Sequence, residues 1–391
     1  MTDYARLNIY NTSWEKIAYI DSYTSLIWTR RFTTYGDFEL YMPYDPKWND
    51  IIKPDHYVEL DGDPDLRGIQ NDEIFAMIIE RIEYIQQPES PVMMIIKGRC
   101  LESLLYRRVF YQNIIYSDST TGHSLNTRVS FLYEIVRICI GDDALDVRKI
   151  PCSILDTDIP NPTYDDSRVR VVNQNDNLGE CMDQCLSSWG YGIIVTYSKA
   201  AEQFIIRFYN HNDRTMGDNA LIFRSDLDNL ANCHYIIDNT NTANVARINS
   251  GQSYEINQGT TTVKVLPSAT VPQGEDSPRG ATFRGINRRE VAFTSELQGD
   301  GNGRFSALQA AGLRQLRPYY NNKEITADII SENAPDYALG DVALIQTDFG
   351  ISAEACIVEV TQSYSREGYL KYPVFGTFKT LDDVKENWTE N

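Results

Sequence analysis

Two segments near opposite ends of the chain most constrain its fold, because both combine a glycine turn with alternating apolar and polar residues. The first, WTRRFTTYGDFELYMP at residues 28–43, continues from Gly36 into a strand with an apolar residue at every second position. The second, DYALGDVALIQ at residues 336–346, places a turn at Gly340 and Asp341 before another apolar strand. A period of two is typical of a half-buried β-strand. Together the segments predict one β-domain closed by both termini.

The composition favours a folded chain with more than one domain. The 391 residues are 42% hydrophobic, which is enough for a sizeable core and too apolar for a mostly disordered chain. No apolar run has the length of a membrane-spanning helix, and the N-terminus lacks the basic and apolar pattern of a secretory signal. We therefore expect no membrane span, and a protein made and kept in a cytoplasm until assembly.

The order of the predicted elements indicates a mainly β fold with an inserted α+β domain. Strands separated by turns fill residues 7–98, and the β pattern resumes near residue 221. Between them, helical spacing at 125–140 and around Cys181 accompanies two strands at 192–197 and 203–209. The predicted division is a first β-domain at 1–108 that C-terminal strands complete, an α+β domain at 109–220, a second β-domain with the closing strands at 221–380, and a polar tail at 381–391.

Three further stretches carry specific structural predictions. Residues 154–166, dense in Asp, Pro and Asn, and residues 267–280, rich in Pro, Gly and Ser, predict exposed loops. Residues 306–316 predict a helix with Leu308 and Leu316 on one side, which Pro318 ends.

Metal ligands are sparse, and we predict neither a metal nor a cofactor. Cys181 and Cys185 would share one helix face as half of a zinc site, but the four histidines supply no second close pair. The three aspartates of residues 61–65 are spaced like the start of a calcium loop, but Leu66 stands where that loop needs glycine. A similar short motif at 299–303 indicates a flexible turn. We instead expect the two cysteines on a helix packed inward.

The sequence carries no catalytic motif that stands out. The chain contains no HExxH, GxSxG or Walker motif and no arrangement of cysteine and histidine typical of a cell-wall peptidase. Carboxylates suited to glycoside hydrolysis are numerous, so their presence alone decides nothing. We predict that the protein is not an enzyme.

The chain contains 25 tyrosines, and their clustering leaves two interpretations open. Platforms for sugar rings would suit a receptor-binding or carbohydrate-binding protein. Sheet surfaces and subunit interfaces use tyrosine equally well, and this second interpretation is favoured. The clusters are Tyr35, Tyr41 and Tyr44; Tyr106, Tyr111 and Tyr116; and Tyr319 with Tyr320.

In their order and spacing, these segments resemble the siphophage tail-hub proteins, also called tail-associated or tail-tip baseplate hub proteins. The resemblance covers most of the chain, from an opening strand pair, through a strand that passes into a helix, to the closing strands. The positions that carry the family pattern are Trp28, Gly36, Phe38, Leu40, Pro43, Gly98, Tyr337, Gly340, Asp341 and Gly376.

The resemblance implies a structural protein at the distal tip of a bacteriophage tail, assembled in the host cytoplasm. Two β-barrel-like hub domains in each chain would give a homotrimeric ring six roughly equivalent units, which suits a six-fold tail. The implied partners are the distal tail ring or tail tube protein, the tape-measure protein, and fibre or receptor-binding proteins. The ring would gate the passage of DNA during ejection. The hub of a contractile tail or of a phage-derived injection particle is the nearest alternative.

The charge of the chain bears on its relation to DNA. Fifty-five acidic and 36 basic residues give a formal net charge of -19, and no basic run that would follow a phosphate backbone is seen. Specific nucleic-acid binding is therefore not expected. Carboxylates lining a hub channel would let a duplex pass without adhering. Negative charge spread over the outer surface for solubility is the equal alternative.

Overall fold

The computed structural model describes most of the chain. Of the predicted calcium-like motif at 61–65 only residues 61–63 are described, and the 299–303 motif and the 381–391 tail lie outside the described residues. The described residues are 5–63, 69, 72–111, 114–116, 128–158, 170–172, 174–251, 254–258, 261–295, 308–309, 312–313, 315–316, 319, 323–330, 333, 335–366, 368–376 and 379–380.

The N-terminal part is a succession of strands with two short 3₁₀ helices, Pro46–Asn49 and Leu101–Arg107. Strand β4 has the predicted alternation, since Phe38, Leu40 and Met42 are buried while the residues between them are half-buried. The strands are β1 Leu7–Tyr10, β2 Lys16–Ile20, β3 Ser25–Arg31, β4 Asp37–Pro43, β5 Tyr57–Leu60, β6 Glu73–Ile74, β7 Met77–Ile85 and β8 Met93–Cys100.

The middle part mixes helices and strands, as the sequence predicted. The elements are β9 Ile114–Tyr116, α1 Arg128–Cys139, β10 Cys152–Asp158, β11 Arg170–Val172, α2 Leu178–Trp189, β12 Tyr191–Ser198, β13 Gln203–Asn210 and β14 Asn212–Asp213. The prediction of a loop from residue 154 was wrong for its first part, because β10 extends to Asp158. Ile154 pairs with Ile206 of β13 and packs on the local core, which outweighs the turn-forming composition that follows.

The C-terminal part is again β-rich. Helical positions at 308–309, 312–313 and 315–316 agree with the predicted helix, and Leu308 and Leu316 are buried. The predicted loop at 267–280 begins instead with a strand, because Ala269 and Val271 face a core. The strands are β15 Ile222–Arg224, β16 Leu230–Ile237, β17 Val245–Ser250, β18 Tyr254–Gln258, β19 Thr261–Val265, β20 Ser268–Val271, β21 Glu290–Ser295, β22 Lys323–Ile329, β23 Asp341–Gln346, β24 Ser352–Ser365, β25 Gly368–Phe375 and β26 Lys379–Thr380.

One sheet of 13 strands joins the two ends of the chain. Its order is β14-β23-β24-β3-β4-β8-β7-β5-β1-β2, with β15 beside β23 and with β25 and β26 beside β24. The C-terminal half of β24 pairs with β3 from Glu359 opposite Arg31 to Ser365 opposite Ser25. Its N-terminal half pairs with β23. The first β unit comprises β1–β5, β7, β8 and β25, the second comprises β14, β15, β23 and β26, and both share β24.

Each part of the chain has its own core. Trp28, Phe38 and Leu40 are fully buried in the first β unit, and Phe223 and Ile345 are buried in the second. The α+β segment packs α1 and α2 on the sheet β10-β13-β12-β6. As predicted, α2 turns its cysteine-bearing face inward, a face formed by Leu178, Cys181, Met182, Cys185 and Leu186.

A small unit at residues 243–319 is carried on a two-stranded ribbon. The ribbon is the antiparallel pair β16–β22, with Leu230 opposite Ile329 at one end and Ile237 opposite Lys323 at the other. The unit contains the sheet β20-β17-β21 and the helical positions near 312, around cores of their own.

The chain is therefore mainly β with an α+β segment, as the sequence predicted. Across the described strands, the long sheet has free ends at β14 and β2. Barrel-like closure and the domain boundaries at 108, 220 and 380 stay predictions. None of the helices in the described part has the length and apolar character that crossing a membrane requires.

Candidate functional site: the junction at Phe32

Phe32, the residue after β3, joins the three main parts of the chain through its backbone. Its side chain is 3% exposed. The Phe32 N–H donates to the carbonyl oxygen of Val358 in β24 at 2.9 Å, and its own carbonyl accepts from the N–H of Ile193 in β12 at 2.9 Å. The end of β3 is thus tied to the shared strand on one side and to the α+β segment on the other.

The ring of Phe32 fits against two glycines from distant parts of the sequence. A β-carbon at Gly192 of β12 would lie 2.5 Å from Cε2 of Phe32, and one at Gly340 would lie 2.7 Å from the same atom. Gly340 also has φ +86°, a left-handed conformation that glycine adopts without strain. The ring of Tyr209 in β13 packs edge to face on the ring of Phe32, with the two centroids 5.4 Å apart. The junction requires glycine at both positions.

Asp341, directly after Gly340, fixes the turn through a buried ion pair. Its carboxylate lies 2.8 Å from the guanidinium of Arg214, and the Asp341 side chain is 2% exposed. The amide of Asn212 donates to it at 2.9 Å, as does the N–H of Ala338. Because Asn212 begins β14 and Arg214 follows it, the turn and the segment that leaves the α+β part of the chain are held together.

The family positions of the first β unit form a row across its sheet. Trp28 of β3 lies opposite Phe38 of β4, and Phe38 lies opposite Gly98 of β8. A β-carbon at Gly98 would lie 2.7 Å from Cε1 of Phe38 and 1.8 Å from the carbonyl oxygen of Ile78. The ring therefore covers the glycine, and no side chain fits between them.

The other family positions have structural surroundings of their own. A β-carbon at Gly36 would lie 1.9 Å from the carbonyl oxygen of Thr29, so the β3–β4 turn also requires close backbone approach. Leu40 is fully buried, whereas Pro43 ends β4 at an exposed position.

Tyr337 and Gly376 belong to the second β unit. The Tyr337 ring lies 6.1 Å from that of Phe223, and its carbonyl accepts from Nζ of Lys371 at 2.6 Å. The N–H of Gly376 donates to the carbonyl of Cys356 at 2.8 Å. The structure thus divides the family positions between two clusters, and β24 connects them.

The outward face of the shared sheet is charged and internally paired. Arg31 at the end of β3 bridges Asp37 of β4 at 2.5 Å and Glu359 of β24 at 2.6 Å. Lys97 of β8 donates to Glu39 of β4 at 2.8 Å, and this hydrogen bond lowers the pKa of the Glu39 carboxyl. These pairs fix the β24–β3–β4–β8 register on the face opposite the core.

Two buried carboxylates attach the α+β segment to the first β unit. Glu73 of β6 pairs with Arg207 of β13 at 2.9 Å, with side chains 3% and 8% exposed, and accepts from the hydroxyl of Thr196 at 2.6 Å. Glu102 accepts from the N–H of Val195 in β12 at 2.9 Å. Burial raises the pKa of Glu102 to about 7. Glu73 lies just before β7 and Glu102 just after β8, so both contacts join this sheet to strands of the first β unit.

The predicted tyrosine platforms are engaged within the chain. Tyr35 packs edge to face on Tyr106 at 4.8 Å, and the hydroxyl of Tyr41 donates to Glu39 at 2.8 Å. Tyr44 packs on Tyr84 at 5.4 Å. The side chains of Tyr116 and Tyr320 lie outside the described residues.

Metal ligands do not converge in the described part of the chain, where no group of three or more His, Cys, Asp or Glu residues is placed to hold an ion. Of the calcium-like motif, Asp63 accepts from the buried amide of Gln362 in β24 at 3.0 Å. Its neighbour Asp65 lies outside the described residues. The aspartate therefore links the β5 loop to the shared strand.

Sequence reasoning located both clusters but missed the residue between them. Phe32 lies inside the first segment, yet it follows two arginines and precedes two threonines, so no period of two marks it. Its partners Gly192 and Gly340 are far away in sequence, and only the fold brings them together. An apolar aromatic residue inside a polar turn was the available clue.

The overall fold is shared with solved tail proteins, although sequence identity is low. A 43 kDa tail protein of prophage MuSo2 from Shewanella oneidensis matches with a TM-score of 0.52 and 13% identity, over 95% of this chain and 97% of that chain. A tail protein from Neisseria meningitidis MC58 matches with a TM-score of 0.52 and 12% identity, over 96% and 98%. Prophage tail protein gp18 from Listeria monocytogenes EGD-e matches with a TM-score of 0.50 and 11% identity, over 99% and 98%.

No curated protein matches the chain in sequence. A protein family, however, matches nearly all of it, including both sequence segments and the Phe32 junction between them. Because the match extends over residues 6–377, the chain belongs to the family of Siphovirus ReqiPepy6 Gp37-like proteins.

Proposed function

We propose that this phage tail protein is the baseplate or tail-tip hub, three copies of which form a ring that joins a six-fold tail to its tip. The observation that carries the proposal is the shared strand β24. It belongs to two β units with separate cores, and the Phe32 ring packs against Gly340 where the units meet, while the ion pair of Asp341 holds the turn that presents this glycine.

A rigid pair of β units suits an adaptor between different symmetries. Three chains with two β units each would offer six platforms to a hexameric neighbour, provided that the angle between the units is fixed. The shared strand and the close-packed Phe32 ring at the junction would supply that rigidity. The neighbours would be the distal tail ring or tail tube protein above, and the tape-measure and fibre or receptor-binding proteins.

The net charge supports a role in which the protein lets DNA pass without binding it. With a formal net charge of -19, the protein as a whole repels phosphates. A ring of such chains would gate DNA and pass it during ejection without binding it specifically. The role is structural, and no catalytic step is assigned to any residue.

Labelling in the virion tests this placement. A short peptide tag after residue 391, at the end of the polar tail, is decorated with gold-conjugated antibody and imaged on intact phage. Label confined to the distal end of the tail supports the hub. Label along the tail shaft or at the head-tail connector contradicts it. The same images show whether the tail contracts, which separates a siphophage hub from one of a contractile tail or injection particle.

A carbohydrate-binding tail protein is the second candidate, favoured by one surface feature. Tyr84, 51% exposed, packs edge to face on Tyr44, and the side chain of Asn49 hydrogen-bonds both hydroxyls. An exposed ring beside an amide is suited to a sugar. Binding of the purified protein to host polysaccharide, abolished in Y84A, would favour this candidate, and no binding would exclude it.

A further inference from the structure

Two short turns in different parts of the chain expose apolar side chains in the same manner. Ile286 is the central residue of the 3₁₀ turn Gly285–Asn287, and Val147 is the central residue of the 3₁₀ turn Asp146–Arg148. Their side chains are 96% and 93% exposed, which are the highest values for large apolar residues in the described part of the chain. Each side chain therefore leaves nearly all of its apolar area available to a partner.

The first turn lies in a basic loop, in a protein that is otherwise strongly acidic. Residues 279–289, here called the arginine loop, carry four arginines and no carboxylate. Arg279 and Arg284 are exposed, and Arg284 donates to the backbone carbonyls of Ala281 and Pro278. Those hydrogen bonds leave its positive charge uncompensated. The exposed Asp276 flanks the loop on its N-terminal side.

The second turn lies in an acidic loop. Residues 141–147, here called the aspartate loop, carry three aspartates and no basic residue. Asp142 and Asp146 are exposed, and Leu145 between them is 58% exposed. Asp146 has a partial counterion in Lys149 at 2.8 Å, with the aspartate side chain 93% exposed. Asp143 pairs with Arg137, so the negative charge offered beside the two apolar side chains comes mainly from Asp142 and from the exposed Asp146.

Each loop is anchored to the rest of the chain by the contacts of one arginine. Arg148, 8% exposed, donates to the carbonyl of Val109 at 2.6 Å and stacks on Tyr111 at 3.9 Å. Arg288 pairs with the buried Glu275 at 3.1 Å and also with Glu290. Two turns fixed in this way lose little conformational entropy on association.

We propose that the arginine loop of one copy docks on the aspartate loop of a neighbouring copy, with Ile286 against Leu145 and Val147 and the arginines facing the aspartates. This inference rests on the proposed ring. Both turns are almost fully exposed within one chain, so they do not contact each other there. Two different patches that fit each other form a heterologous contact, which closes a ring when repeated around a three-fold axis.

Charge and shape favour a protein over a nucleic acid as the occupant. A phosphate backbone would be attracted by the arginines but would gain nothing from an isoleucine at the tip of the turn. The aspartate loop supplies both an opposite charge and apolar side chains. The two loops are therefore complementary both in charge and in exposed apolar surface.

Charge reversal tests the contact through assembly. R279E/R284E and D142R/D146R are each expected to raise the protein concentration at half-assembly by tenfold or more, because like charges then face each other. The fourfold variant that carries both changes restores assembly, since the charges are exchanged. K16E/K53E, the matched control, reverses two exposed cations elsewhere and leaves assembly unchanged. Unchanged assembly of both double variants overturns the inference.

A photo-cross-linking amino acid at position 286 locates the neighbour directly. The variant is mixed with ¹⁵N-labelled wild-type protein, so that a cross-link between two copies differs in mass from one within a chain. The inference expects cross-links to labelled peptides containing residues 141–147. Cross-links elsewhere in an intact ring overturn it and leave the hub standing. If neither a ring nor a cross-link between copies is observed, the result contradicts both this inference and the proposed hub. Cross-links to added duplex DNA instead would assign the loop to nucleic acid and overturn the inference.

Discussion

A β-carbon on Gly340 would lie 2.7 Å from Cε2 of Phe32, so two residues about three hundred positions apart are fitted to each other at contact distance. The two β units meet at this contact. It adds a second connection between two units that already share β24.

Replacing Gly340 with alanine tests the fit. G340A is expected to lower the free energy of unfolding by about 2–4 kcal/mol, because it adds a steric overlap to the strain of a left-handed φ. Gly350 is the matched control, since its φ is +83° and a β-carbon there meets nothing within 4 Å. G350A introduces only the backbone strain and is expected to lower the free energy of unfolding by about 1 kcal/mol. If urea denaturation gives the same loss of unfolding free energy for G340A and G350A, the Phe32 ring does not clash with a side chain at residue 340.

The buried pair of Glu73 and Arg207 makes the next prediction. R207M is expected to destabilise the protein by about 3–5 kcal/mol, since the Glu73 carboxylate would remain buried without its counterion. The double variant E73Q/R207M removes both charges and is expected to recover part of that loss. K149M, which removes an exposed bridge to Asp146, is the control and is expected to change stability by less than about 1 kcal/mol. A loss in R207M no larger than in K149M would contradict the buried-pair account.

Glu102 makes stability depend on pH. Burial raises its pKa from 4.5 to about 7 in the folded protein, so the folded state binds the proton more tightly than the unfolded chain does. Its contribution to stability is therefore full below pH 4.5 and is lost as pH rises through 7. The shift corresponds to about 3 kcal/mol. E102Q, which mimics the protonated acid, is expected to be more stable than the wild type at pH 8 and similar at pH 5.

A carboxylate with the opposite shift serves as the control for that experiment. The pKa of Glu39 is lowered by its hydrogen bond from Lys97, so its contribution is present near neutral pH and lost in acid. E39Q is expected to be slightly less stable than the wild type at pH 8. If E102Q and E39Q change stability in the same direction at pH 8, the assignment of the raised pKa to Glu102 is wrong.

Much of the β architecture could be predicted from the sequence, because period and turn chemistry are local. The alternation of Phe38 and Leu40 marks β4, and Gly340 marks the turn before β23. The part of β10 from residue 154 to 158 was hidden by the Asp and Pro residues that follow, and β20 was hidden by a Pro- and Gly-rich context. In both places, burial of two or three apolar side chains outweighed the local composition.

Local sequence patterns could not predict the junction or the arginine loop, and the reasons differ. Phe32 gains its role from Gly192 and Gly340, and nothing in a single sequence joins those three positions. The arginines of residues 279–289 are separated by Gly, Ala, Thr, Phe, Ile and Asn, so they do not form a basic run. Only exposure, known from the fold, distinguishes Arg279 and Arg284 from the paired Arg288.

The stoichiometry of the purified protein tests the hub most directly. Light scattering gives the mass in solution, and negative-stain class averages of the same fraction give the symmetry. Three copies of the 44.7 kDa chain would have a mass of about 134 kDa, and the account predicts a three-fold ring with a central opening. A monomer of 44.7 kDa at every concentration, alone and with the distal tail ring protein added, would contradict it.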